Sequence, residues 1–171
     1  MGIEIERRFL VKDIDRVKEL IKEYNDTKKT IIQDYIYSDL LTAIRKRKII
    51  MNGNEKYIYT VKTGSRTLSV NEYEEELTKD QYDSIKLAPS RYTINKDRYI
   101  IPYENDLKIE LDVFHGKYEG IIFAEIEFKS EEQAKNTNIP EWFDVEIGSI
   151  ISNNKLSKGI DDVELFIKNN L

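Results

Sequence analysis

Charges of mostly one sign recur at every second residue in stretch after stretch of this chain, and no other feature constrains its fold as much. A period of two belongs to a β-strand, whose successive side chains point to opposite faces, with residues i and i+2 about 6.6–6.8 Å apart on one face. The first such stretch is Ile3-Glu4-Ile5-Glu6-Arg7-Arg8-Phe9-Leu10-Val11, with Glu4, Glu6 and Arg8 on one face and Ile3, Ile5, Arg7 and Phe9 on the other. Taken alone, it also fits a half-exposed strand with one solvated face. Later stretches repeat the device. Acids alternate at Glu72, Glu74 and Glu76 within 67–77, at Glu110 and Asp112 within 106–114, and at Glu125 and Glu127 within 121–129. Bases alternate at Arg45 and Arg47 within 42–50, at Lys56 and Lys62 within 56–62, and at Lys96 and Arg98 within 92–101. A merely solvated face would more often mix Lys, Glu and Thr on each strand.

Helical signals fall between these strands. Asp13 is placed to cap a helix reaching about Asn25, with Ile14, Val17, Leu20, Ile21 and Tyr24 at spacings of three and four. Tyr35-Ile36-Tyr37 gives β-propensity to 31–38, and Asn52-Gly53-Asn54 reads as the turn of a hairpin. Thr78 with Gln81, and Ser130 with Gln133, have the spacing of capping boxes. The first of these opens a short helix bearing Tyr82 and Ile85 and ending at Pro89 and Ser90. A final helix over about 160–170 would bury Ile160, Val163, Phe166 and Ile167. Trp142 reads as a packing anchor. His115 stands in a loop without the companions that a zinc site needs.

The expected class is therefore α+β: about eight strands, mostly joined by hairpin-length connections, with three or four short helices. Such strands form an antiparallel sheet, and closing it into a barrel removes both edges. At 171 residues the chain suits one domain, 1–171. With the charged faces turned inward, the apolar outer faces pack against the helices. That inverts the usual small barrel.

A closed interior of this kind demands water and bound ions, because buried like charges destabilise one another. Carboxylates in a chain with one His and no Cys select a hard divalent cation, Mg²⁺ or Mn²⁺. The facing Arg and Lys select a polyanion, to whose phosphate oxygens Arg offers bidentate contacts. A net charge of −5 argues against nucleic acid held by a global basic field. Strand alternation also splits Arg45-Lys46-Arg47-Lys48 between two faces. Without an apolar run long enough to span a bilayer, the expectation is a soluble, cytoplasmic chain with no membrane or nucleic-acid partner.

Glu4-Ile5-Glu6-Arg7-Arg8 resembles the ExExK opening of the CYTH superfamily, the triphosphate tunnel metalloenzymes, which include class IV adenylate cyclases and thiamine triphosphatases. Further matches follow in the family's order: Gln33-Asp34-Tyr35, Arg45-Lys46-Arg47, Tyr59-Thr60-Val61-Lys62, Glu72-Tyr73-Glu74-Glu75-Glu76, Lys96-Asp97-Arg98-Tyr99, Glu110-Leu111-Asp112-Val113-Phe114, Ala124-Glu125-Ile126-Glu127 and Pro140-Glu141-Trp142. The resemblance implies an eight-stranded antiparallel tunnel that takes a small triphosphate with an essential divalent metal. It makes Glu4, Glu6, Glu125 and Glu127 metal ligands. It also makes Arg8, Arg45, Arg47, Lys62, Lys96 and Arg98 phosphate ligands, and places Glu110 and Asp112 near a second metal or the attacking water. Lys56 joins the substrate wall on its strand face, and Lys96, Glu110 and Asp112 form the expected catalytic set. Glu72, Glu74 and Glu76 either hold metal or pair with the bases, and a solvated edge is the alternative for that strand.

Two departures stand out. Arg8 occupies the usual Lys position, and after Glu146-Ile147 the usual Thr and Asp-x-Arg-Tyr-x-Asn are shortened to Gly148-Ser149-Ile150-Ile151-Ser152-Asn153. The expected activity is hydrolysis of inorganic triphosphate or a related compound. A class IV type adenylate cyclase and a non-catalytic polyphosphate or nucleotide sensor are the alternatives.

Overall fold

A computed structural model describes residues 2–64, 69–89 and 91–171. Its strands are β1 (Gly2–Leu10), β2 (Lys29–Ser38), β3 (Thr42–Met51), β4 (Asn54–Thr63), β5 (Ser69–Leu77), β6 (Ile94–Pro102), β7 (Lys108–His115) and β8 (Ile122–Glu127). Thr67 and Leu68, expected at the start of the fifth strand, and Ser90, expected to end a helix, lie outside the described residues. All the pairings are antiparallel, and the barrel closes in the order β1-β5-β4-β3-β2-β6-β7-β8.

Two meanders, β2–β5 and β6–β8, are thus joined on one side by β2·β6 and on the other through β1. The N-terminal half of β1 pairs with β5 (Glu4↔Val70) and its C-terminal half with β8 (Arg8↔Glu125). Past β5, the free side of β1 is covered by residues 144–147, through Leu10 N–H to Val145 O at 2.9 Å and Ile147 N–H to Arg8 O at 2.8 Å. The C-terminal half of β1 is thus paired on both sides. The β3–β4 hairpin turns on Asn52 (φ 50°) and Gly53 (φ 76°), the left-handed pair that a two-residue turn of this twist requires.

Helices α1 (Ile14–Glu23) and α3 (Glu131–Asn136) cover the outside of β1 and β6–β8. Asp13 caps α1 by accepting from Arg16 N–H at 3.0 Å. Its Val17 and Leu20 pack with Phe9, Tyr99, Leu111 and Ile126 from the outer strand faces. Helix α2 (Lys79–Ser84) has the full Thr78/Gln81 box and lies against β3 and β4: Tyr82 meets Tyr57 at 4.9 Å, and Lys46 Nζ donates to Tyr82 O (2.8 Å) and Ile85 O (3.1 Å). At α3 the Ser130 hydroxyl accepts from Gln133 N–H as expected, but the Gln133 carbonyl reaches Lys129 N–H. Trp142 packs edge-on against Phe143 at 4.5 Å.

Expectation and structure differ at the far end of the barrel. The lumen is not charged throughout, because Leu10, Ile94, Phe114 and Phe123 turn inward and fill one end. Ile147, Ile151, Leu156, Val163 and Ile167 complete this stopper, drawn from the loop after Glu146, from α4 (Asn153–Ser157) and from α5 (Val163–Asn170). The shortened segment therefore still closes an end. Helix α4 was not foreseen; in α5 Val163 and Ile167 are buried and Phe166 is half so, while Ile160, expected within that helix, precedes it and is half-buried. Among the described residues no helix is long and apolar enough to cross a membrane.

Candidate active site

Two adjoining cavities run through the barrel. The larger, about 160 Å³, is lined by charged side chains from every strand of the barrel except β2, which contributes Gln33. The other, about 100 Å³, leads past Tyr35, Leu41, Val70 and Thr63 to the loops beside the stopper. They meet at Glu4, Glu6, Arg8, Arg45, Lys62 and Asn153.

The wall made by β1 and β6–β8 is knitted together by ion pairs. Asp112 is wholly buried and accepts from Lys96 Nζ at 2.5 Å and from Arg98 Nε and Nη2 at 2.6 and 2.7 Å. Arg98 also reaches Glu110 and, at 3.1 Å, Glu125. Each nitrogen of Arg8 donates to the protein: Nε to Glu125 (2.7 Å), Nη2 to Glu6 (2.5 Å) and Nη1 to Ile151 O (3.1 Å). Burial alone would push the Glu125 carboxyl up, but Arg8, Arg98 and Lys96 outweigh it and hold its pKa well below the usual range. For Lys96 burial wins over Asp112, and its pKa is lowered. Glu110 is pushed up by burial in spite of Arg98.

The wall made by β3–β5 is less complete. Arg47 pairs with Glu74, and Lys62 lies between Glu4 and Glu72, 3.2 Å from the latter. Arg45 Nη2 comes no closer than 3.9 Å to Glu72, whose enclosed Oε2 has no hydrogen-bond partner among the described residues. The same is true of the enclosed Nε atoms of Arg45 and Arg47. Burial, and then repulsion from Arg45, bring the Arg47 pKa down to about 10. Each of these two guanidiniums thus keeps one enclosed nitrogen unpaired among the described residues. Opposite them, Glu127 is without an ion-pair partner among the described residues, and its pKa is raised by burial and then by Glu4, Glu110, Glu72 and Glu6. Among these carboxylates Glu127 is the one that no base neutralises among the described residues.

Three expected site residues are placed differently. Lys56 and Glu76 stand on lumen-facing register positions but lie exposed at the rim and line neither cavity. Asp112 also lines neither, being enclosed behind Lys96 and Arg98. The others (Glu4, Glu6, Arg8, Arg45, Arg47, Lys62, Glu72, Glu74, Lys96, Arg98, Glu110, Glu125 and Glu127) all line the larger cavity. His115 lies apart from the cavities, with Nε2 2.9 Å from Asp97. Gln33 and Asn153 line the lumen without having been singled out for it.

Residues 2–158 match the family described as the CYTH domain. The chain belongs to the CYTH family. An inorganic triphosphatase of Acetivibrio thermocellus is 32% identical to this CYTH chain over 148 residues, which cover 86% of each protein. A crystal structure of an inorganic triphosphatase superposes with a TM-score of 0.57 at 25% identity, over 95% of this chain and 99% of that one. A Pyrococcus horikoshii protein gives a TM-score of 0.57 at 18% identity over 98% of both chains, and so shares the fold of this CYTH chain.

The donors in the lumen fit a hard divalent cation, since they are carboxylate oxygens and four other carboxylates crowd around Glu127. Among the described residues no three of them converge as a ready-made cage. Most are turned toward bases instead, and Glu125 has both oxygens engaged by Arg8 and Arg98.

Proposed function

We propose that this chain hydrolyses inorganic triphosphate, or a small compound bearing one, inside the tunnel with Mg²⁺ or Mn²⁺. The observation that carries this is the pairing of two deficits across one cavity, unpartnered guanidinium nitrogens on β3 and crowded carboxylates on β1 and β8. A metal–polyphosphate complex satisfies both at once, whereas a simple anion leaves the carboxylates repelling one another. The named activity of the Acetivibrio relative supports the same reading.

In this scheme Arg45, Arg47 and Lys62 hold the phosphate oxygens through charge-assisted hydrogen bonds. Glu4, Glu6 and Glu127 would hold the cation, which when bound neutralises phosphate charge as a Lewis acid. Glu110 accepts a proton from the attacking water, a role helped by its raised pKa and by an oxygen open to the lumen. Lys96, fixed by Asp112, faces the charge that develops as the terminal phosphoryl group leaves, and Arg98, whose nitrogens are all engaged, holds Glu110 and Asp112 in place. Arg8, whose nitrogens are all engaged, positions Glu6, Glu125 and the stopper rather than gripping phosphate. The setting we propose is the cytoplasm, in keeping with a chain that has no cysteine.

The test is phosphate release from triphosphate by the purified protein with Mg²⁺ or Mn²⁺, and its loss in EDTA. A folded protein inactive on every triphosphate and metal tried would overturn the proposal. The apolar lining of the second cavity, with Tyr35, Leu41 and Val70, favours one further reading, that an organic group extends from the phosphates. Incubation with ATP separates the possibilities: cyclic AMP marks a cyclase, and free phosphate marks hydrolysis.

A further inference from the structure

Asn153 opens α4 within the stopper and lines both cavities where they join, beside Arg8, Arg45 and Lys62. The residue is only 6% exposed, yet among the described residues neither end of its carboxamide has a hydrogen-bond partner, and Oδ1 is enclosed. Its neighbour Asn154, equally buried, shows what a structural amide looks like here, for its Oδ1 accepts from Arg91 Nη1 at 3.3 Å. Buried amides that hold a fold together are paired, because an unpaired one lowers stability. An amide kept unpaired at the waist of a ligand tunnel therefore points to a partner that arrives from outside the chain.

Its placement is also controlled. Arg8 Nη1 donates to Ile151 O and Arg8 O accepts from Ile147 N–H, while on the outer face of β1 the Arg7 guanidinium grips Glu146 at 2.7 and 2.9 Å. Two adjacent arginines thus hold both sides of the segment that delivers Asn153. Every other donor at the junction is a cation whose attraction falls slowly with distance, whereas a neutral N–H bonds only at short range and in line.

We propose that Asn153 is a substrate-contacting residue whose carboxamide donates to a non-bridging oxygen of a linear polyphosphate, fixing how far that chain sits along the tunnel. Oδ1 is the enclosed end, which leaves the Nδ2 end open to donate into the lumen. The inference rests on the triphosphate reading and assigns within it the residue that sets position rather than charge.

The test compares the parent with Asn153→Ala and Asn153→Leu in three measurements: kcat/KM on triphosphate, calorimetric titration of triphosphate in EDTA, and thermal melting. Expected are about a tenfold loss of kcat/KM and a matching loss of affinity, the size of one net hydrogen bond. The melting midpoint of Asn153→Leu stays level or rises, since an apolar group replaces an unpaired amide. Unchanged kcat/KM and affinity in whichever variant keeps the parent's melting midpoint would overturn the proposal. So would losses that follow a lowered midpoint in both variants. A parent without turnover overturns the triphosphatase reading instead, and the EDTA titration then decides on Asn153 by itself.

Discussion

The two walls of the lumen are built from the same residue types and do opposite things with them. On β1 and β6–β8, Arg8, Lys96, Arg98, Asp112 and Glu125 are buried or nearly so; Lys96 is held by Asp112, and each of the others is joined to two or more partners. A hydrophobic layer with α1 and α3 backs that wall. On β3–β5, among the described residues, Arg45 and Arg47 keep unpaired nitrogens, Glu74 and Lys62 are more exposed, and the short α2 lies behind. The saturated wall holds geometry because its charges have nowhere else to go. In the proposed function, the unsaturated wall completes itself with ligand. In a tunnel, ionic residues are thus not interchangeable, and how far each is already neutralised decides whether it shapes the site or binds in it.

This contrast is sharpest at Asp112. Asp112→Ala leaves Lys96 buried without its anion and removes two of the hydrogen bonds of Arg98, and should lower the unfolding free energy in urea by about 3–5 kcal/mol. Stability equal to the parent's would erase the distinction between the walls. On the other wall, Arg45→Ala should weaken triphosphate binding by about 1.5–3 kcal/mol while unfolding changes by less than about 1 kcal/mol. Calorimetry and urea melts on the same variant decide it, and a stability loss as large as the binding loss would place Arg45 with the structural set. Lys62→Met frees Glu4 and Glu72 from their shared cation, and Mn²⁺ affinity in substrate-free protein should rise by about 1 kcal/mol, read by electron paramagnetic resonance. Weaker Mn²⁺ binding would mean that Lys62 supports the acids instead of competing for them. Smallest of all, Lys56→Ala and Glu76→Ala at the rim should shift stability and triphosphate affinity by no more than about 0.5 kcal/mol. A larger effect on affinity would extend the site to that mouth.

Strand alternation made most of this lumen legible beforehand. Which face a residue takes follows from counting by two, so Glu4, Glu6, Arg45, Arg47, Glu110 and Glu125 could be assigned inward before any coordinates. Depth along the strand does not follow from the same count. Lys56 and Lys62 share a face on β4, but Lys62 lies at the junction of the cavities and Lys56 at the rim. Nor does alternation reveal how far a carboxylate is sunk, which is why Asp112 looked like a lumen acid. Helix α4 escaped because it is too short for a helical repeat and begins with two buried asparagines, residues that ordinarily mark turns. The apolar stopper was missed for a related reason: Leu10, Ile94, Phe114 and Phe123 sit at strand ends, where one inward apolar residue looks like a change of surroundings rather than a plug.

The place of β1 between β5 and β8 has a consequence for how the protein is made. A ribosome finishes Gly2–Leu10 first, but half of that strand must wait unpaired until Ile122–Glu127 has been synthesised. Ring closure is therefore a late event that joins residues as far apart in sequence as Arg8 and Glu125, and such distant pairings form slowly. Nascent chains cut short before β8 would present the sticky rim of an open sheet, so this protein should lean on chaperones during translation more than its size alone would indicate.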